Sequence, residues 1–215
     1  AAIGSILRWA WGNDLTMKFA KADIGAGIEV PTYSSGPRGH AWWAMIVLLT
    51  VSGMIFLMLI FSYIFLWSHR PETWPAPQAL HTFWICAGLL VASAISGDMA
   101  RRIFTRTPTG AVAASVVAAG ALAVSWFVSF ADWGAAGLDP ELTSHNALVA
   151  TFLAWDGVFV AIVSLMASYA IARLLAGLLA RKGPATMESI NLFTTYAAAQ
   201  GLISLVITRA FPLAV

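Results

Sequence analysis

From Ala41 to Trp67 the chain runs for 27 residues without a charged side chain. At 1.5 Å of rise per residue, a helix of that length exceeds the ~30 Å of hydrocarbon in a bilayer. The stretch is a membrane-spanning helix. His40, Trp42 and Trp43 open it, and Trp67, His69 and Trp74 close it. Indole rings favour the boundary between headgroups and hydrocarbon, because the ring is apolar and its N–H seeks water, so these tryptophans read as interfacial anchors.

The remainder shares this character. With 60% apolar residues, 10% charged residues and a mean hydropathy of +0.79, the composition excludes an ordinary soluble domain. The net charge is only +2, which points to no nucleic-acid partner, and the basic residues are better explained by membrane topology. The single cysteine, Cys86, excludes an intrachain disulfide and reads as a lone buried thiol. The sequence begins Ala1-Ala2-Ile3 with no signal peptide before the first span, so the expectation is a trimmed start or one portion of a longer polypeptide.

The expected fold is all-α, an integral membrane bundle of five transmembrane helices with an N-terminal interfacial arm. The arm covers residues 1–38, and the transmembrane domain covers 39–215, with spans near 41–67, 80–97, 108–133, 146–180 and 190–211. Within the arm, Ile6 to Lys21 is amphipathic and Gly25 to Gly39 is rich in Gly, Pro and Ser. This suits a helix lying on the bilayer followed by an extended lead-in, or else a linker from an upstream domain. Pro71, Pro75 and Pro77 forbid continuation of the first helix. Asp98, Arg101 and Arg102 mark the exit of the second span as a solvated i,i+3 or i,i+4 ion pair. In the third span, Gly110, Ala114, Ala118 and Ala121 have the small-residue spacing that lets backbones approach, which predicts an interior packing helix.

With five spans, the N-terminal arm and the 2–3 and 4–5 turns share one side. That side carries ten of the twelve basic residues (Arg8, Lys18, Lys21, Arg38, Arg101, Arg102, Arg106, Arg173, Arg181, Lys182), leaving Arg70 and Arg209 opposite. Positive charge stays inside, so the N-terminus is expected in the cytoplasm and the C-terminus in the periplasm of a bacterial inner membrane.

Asp156 lies about ten residues into the fourth span, ~15 Å from its outer end at 1.5 Å per residue. An ionised carboxylate at that depth costs at least ~2.5 kcal/mol, so the group faces the bundle interior, pairs, or stays protonated. Ser52, Tyr63, Tyr196 and Gln200 lie at broadly similar depths on other spans and are the candidate partners. Three roles stay open: a hydrogen-bonded packing group, a group in a lipid-headgroup or water pocket, and a member of a proton path. His69, His81 and His145 fall on the outer rim, but no two are spaced i,i+4 on one helix as a metal site would favour. Nucleophile elbows, phosphate loops and zinc-binding patterns are absent from the sequence.

Gly39-His40-Ala41-Trp42-Trp43-Ala44-Met45, then Phe61-Ser62-Tyr63-Ile64-Phe65-Leu66-Trp67 and Trp74-Pro75-Ala76-Pro77, resemble the opening helix of subunit III of the haem-copper cytochrome c oxidases. Leu80-His81-Thr82 is similar to the start of that family's next helix. The fourth span, entered by Thr143-Ser144-His145-Asn146-Ala147, looks like the family's helix with a His-Gly-x-His motif, matched here at Gly157. The run Leu7 to Leu15 resembles the junction where subunit III is fused behind subunit I. The chain departs from the family at three places: Ser52 stands where the opening helix tends to carry an acid, Asp156-Gly157-Val158-Phe159 replaces the histidine motif, and Tyr196 with Gln200 replaces the last helix's Trp-His-Phe and acid.

The resemblance implies a non-catalytic subunit of a proton-pumping respiratory oxidase that packs against subunit I, in an assembly whose partners are subunits I and II. Haem and copper would reside in those partners. It also implies bound phospholipid and support of proton uptake, with Ser52, Asp156 and Gln200 as candidates for polar lining. Arg101, Arg102 and Arg106 are the candidates for lipid phosphates, which cationic clusters near a bilayer attract. A quinol oxidase would use the same subunit, and an autonomous small transporter built around Asp156 and Asp98 is the rival of another class.

Overall fold

The computed structural model describes residues 21–23, 29–31, 40–69, 74, 81–177, 179 and 185–211. Five helices carry the fold: α1 (His40–His69), α2 (His81–Ile103), α3 (Pro108–Ala135), α4 (Ser144–Leu175) and α5 (Ala185–Leu205), with α5 ending in a π-helical turn, Val206–Ala210. Each helix is long and apolar enough to cross a membrane, and the protein is a multi-pass membrane protein. Two short strands, β1 (Lys21–Asp23) and β2 (Glu29–Pro31), pair antiparallel with Ala22 opposite Val30. The expected surface helix therefore does not reach Lys21, which begins β1; the rest of that helix, and most of the lead-in, lie outside the described residues.

The chain divides into two compact units, Ala1–Ile46 and Val47–Val215. Within the second, the helices alternate in direction. The start of α2 meets the end of α3 at Thr82 and Asp132, α3 meets α4 at Trp126 and Leu153, and α4 meets α5 at Asp156 and Gln200. One end of this bundle holds the α2–α3 turn with Arg101, and the other holds Trp133, His145 and Arg209.

The helix boundaries follow local chemistry. Thr143 caps α4, its hydroxyl oxygen accepting from the Asn146 N–H at 3.1 Å. Pro108 opens α3, where a missing N–H costs nothing. At the end of α3, Gly137 takes φ +77°; its N–H donates to the Gly134 carbonyl and that of Leu138 donates to Trp133, while Leu138 packs on Trp133. This is a Schellman stop. Gly177, at φ +69°, ends α4 near Leu175 instead of the expected 180. At the other end of span two the correction is opposite. Asp98 accepts from Arg101 at 2.9 Å and from Arg102, and these contacts across one turn hold α2 helical to Ile103, beyond the expected 97. Helix α5 starts at Ala185, five residues before the expected 190.

The expectation that α3 is an interior helix needs correcting. Ala111, Ser115, Ala118, Leu122 and Ser125 form its buried stripe, but Val117, Val124, Phe127 and Phe130 are exposed on the opposite face. The most enclosed helix is α5, with 44% of its apolar stretch buried, against 17% for α1. Small residues permit the close contacts that bind helices in lipid. Gly97 of α2 lies against Asn191 and Thr194 of α5, and Gly201 of α5 receives Leu90 of α2. Helix α1 joins the bundle through a seam at Leu49, Ser52, Phe56 and Tyr63, where Phe56 and Tyr63 set their ring edges on Phe152 of α4.

Candidate functional site

Gln200 Nε2 donates to Asp156 Oδ1 at 2.8 Å. Of the four candidate partners named from depth alone, Gln200 is the one that meets the carboxylate through a described hydrogen bond. Tyr63 is engaged elsewhere, its hydroxyl accepting from Trp74 Nε1 at 3.1 Å. Ser52 is buried on α1 and stands apart from the Asp156 cavity lining. The placement of Asp156 depends on its neighbour Gly157. A Cβ there would fall 3.0 Å from the Trp126 ring, tighter than ordinary contact, so glycine lets the indole sit close, where its N–H reaches the Leu153 carbonyl at 2.8 Å. This contact locks α3 to α4 and fixes which way the carboxylate points.

Asp156 lines a cavity of about 50 Å³ between α2, α3, α4 and α5. Leu122 to Trp133 of α3, Val149 to Val160 of α4 and Ala197 to Thr208 of α5 bound it. Each stretch advances eleven residues, roughly 16 Å at 1.5 Å per residue. Hydroxyls punctuate this apolar slot. Ser125 Oγ donates to the Cys86 carbonyl, Ser129 Oγ to Cys86 Sγ, and Thr208 Oγ1 to the Ser204 carbonyl. Ser204 Oγ lies beside the Asp156 carboxylate and makes no hydrogen bond of ordinary geometry.

A second polar cluster, missed in the sequence, sits at the far end of this slot. Arg209 is 2% exposed, and its Nη1 donates to Asp132 Oδ2 and to Thr82 Oγ1, while Thr82 Oγ1 donates to Asp132 at 2.7 Å. Its Cζ lies 5.5 Å from the centroid of the Trp133 ring, and its Nε and Nη2 are buried without partners. Arg209 lies at the end of the bundle away from Arg101, as its count on the opposite side expects, but as a buried cation paired with a carboxylate, not a solvated charge. The π-helical turn Val206–Ala210 explains the aim, because an i→i+5 turn under-rotates the chain and redirects the residues that follow. Such turns gather at functional sites.

Next to this cluster, His145 is 2% exposed and boxed by Tyr63, Trp74 and Trp133 at 5.1 to 6.0 Å between ring centroids. It had been expected on the outer rim. Burial follows from its place in the first turn of α4, directly beneath the Thr143 cap. Trp74, read as an interfacial anchor, and Trp133, at the end of the third span, are structural walls of the same box, whereas Trp43 is exposed as an anchor would be.

At the opposite end, Arg101, Arg102 and Arg106 gather at the α2–α3 turn as expected. The first two share Asp98, and Arg106 is exposed beside a surface hollow with Thr107, Thr109 and Gly177. The protein matches no family model, and no curated protein matches it.

Proposed function

We propose that this chain is the non-catalytic subunit III of a haem-copper cytochrome c oxidase in a bacterial inner membrane, either a separate polypeptide or the subunit III portion of a fused subunit I/III. The reading rests on the sequence resemblance, and what supports it in the structure is α1. This helix carries the strongest part of the resemblance and is the least enclosed of the five, presenting Val47, Val51, Met54, Met58 and Phe61 away from the bundle. A helix with that much bare apolar side suits a subunit that packs against a larger membrane partner. Subunits I and II would carry haem and copper, and this chain would brace them, hold phospholipid at the Arg101, Arg102 and Arg106 end, and assist proton uptake there. Subunit III of a quinol oxidase would look the same, since the electron donor is read by another subunit.

A native assembly purified through this chain should show haem bands in its reduced-minus-oxidised spectrum, and a photo-crosslinker at Phe61 should capture the haem-bearing subunit. An assembly without haem would refute the proposal. The Asp156 cavity favours one second reading, a small autonomous transporter, because an intramembrane carboxylate bordering a cavity is the usual form of a coupling group. Solute movement by the isolated chain in liposomes would select it.

A further inference from the structure

We infer that the slot between α3, α4 and α5 is a binding site for a short file of water molecules, giving Asp156 aqueous access from the Arg209 face of the membrane. The inference stands apart from the oxidase reading, since it concerns only the interior of this chain.

Three observations carry it. A single water needs only ~10–15 Å³ of such cavity volume and two to four polar partners, while cavities that stay dry are lined by apolar groups alone. This one has about 50 Å³, room for roughly three waters by that measure. It is lined by the Asp156 carboxyl and four hydroxyls, those of Ser125, Ser129, Ser204 and Thr208. Second, the polar groups around it are left wanting partners. Ser204 Oγ, in the lining, lies beside the Asp156 carboxylate but makes no hydrogen bond of ordinary geometry, and Gln200 Oε1, on the far side of that carboxyl's partner amide, is buried with none. An orphaned buried group is costly, and a bridging water removes that cost.

Third, the slot has a direction. Beyond Asp156 toward the Arg101 end it closes on Leu122, Val160 and Ala197, all apolar. In the other direction it reaches Thr208 and Trp133, the neighbours of Arg209, whose Nε and Nη2 are also unpartnered. Within the lining of this slot, polar side chains thus continue from Asp156 toward one face only.

Silver ion is close to water in size and reacts with a cysteine thiol only where water reaches it, so it serves as the probe. In a Cys86→Ser background within the intact assembly, Ser204→Cys on α5 and Ser129→Cys on α3 place independent thiols in the slot. Val163→Cys supplies a dry reference at a position fully buried on α4, and Leu142→Cys marks the Arg209 face, being 72% exposed in the α3–α4 loop. Silver is added to sealed vesicles of each orientation, and the thiols that survive are counted after denaturation. From the Leu142 face, both slot cysteines should react at least about tenfold faster than Val163→Cys, which must wait for local opening. Reaction of both at the dry-reference rate, or faster reaction from the opposite face, would overturn the inference. Because the two probes lie on different helices, misfolding of one variant leaves the other to decide.

Discussion

The ring of Thr82, Asp132 and Arg209 allows a quantitative test of what holds the last helix in place. Asp132 is partly buried and Arg209 almost wholly so, and their contact joins α3 to the π-helical end of α5. Replacing Asp132 by Leu leaves a guanidinium already short of two partners with its carboxylate gone. Breaking a buried pair this way costs about 3–5 kcal/mol, and the Trp133 face returns only about 0.5–2 kcal/mol through its cation–π contact. Arg209→Met leaves a carboxylate that still has the Thr82 hydroxyl, so its cost should fall at the lower end of the same range. The double variant removes both charges and keeps apolar volume, a change that is often neutral or stabilising. It should therefore be closer to the parent than either single variant, with a coupling energy of about 2 kcal/mol or more between the sites. Equilibrium unfolding in mixed micelles, followed by circular dichroism, measures all four corners of this cycle. Additive losses, with the double variant worse than both singles, would refute the claim that each charge is tolerated because of the other.

Three further outcomes follow from the same structure. Asp156→Asn should preserve the hydrogen bond with Gln200 and leave stability within about 1 kcal/mol, whereas Asp156→Leu orphans the amide and should cost about 1–3 kcal/mol by the same unfolding assay; equal losses would count against the pairing. Gly157→Val must push a side chain into the Trp126 ring, at a cost of about 1–3 kcal/mol or more, and should shift the tryptophan emission as the indole is displaced from the Leu153 carbonyl. Replacing Arg101, Arg102 and Arg106 together by Gln should weaken retention of anionic phospholipid by about 1 kcal/mol per charge, read by lipid analysis of the purified protein; unchanged lipid content would remove those arginines from any headgroup role.

The sequence made the spans legible because a bilayer demands length and apolarity, and both can be counted along one chain. The Asp98 pairing was also legible, since i,i+3 and i,i+4 neighbours are set by the helix itself. Gln200 could be narrowed to one of four partners for Asp156 from depth, but its choice needed the rotations of α4 and α5, which rest on contacts with other helices, Gly157 with Trp126 of α3 and Gly201 with Leu90 of α2. The Arg209 cluster was harder, because its members are 50, 77 and 127 residues apart and each sits near a span end, where charges usually meet solvent. One signal was available. Arg209 interrupts the apolar run from Leu202 to Leu213, and Asp132 is the acid at the same end of span three. The exposed face of α3 was misjudged because small residues mark one stripe of a helix and say nothing of the side opposite.

Asp132 and Asp156 each take a hydrogen-bond donor from α5: Asp132 from Arg209 and Asp156 from Gln200. During synthesis that helix leaves the ribosome after the other four. A nascent chain paused before it holds Asp156 without its Gln200 amide and Asp132 without its guanidinium, so insertion of α5 completes both sites at once. The α5 segment thus couples two polar sites that lie at different depths of the bundle, and a chain lacking it loses both together.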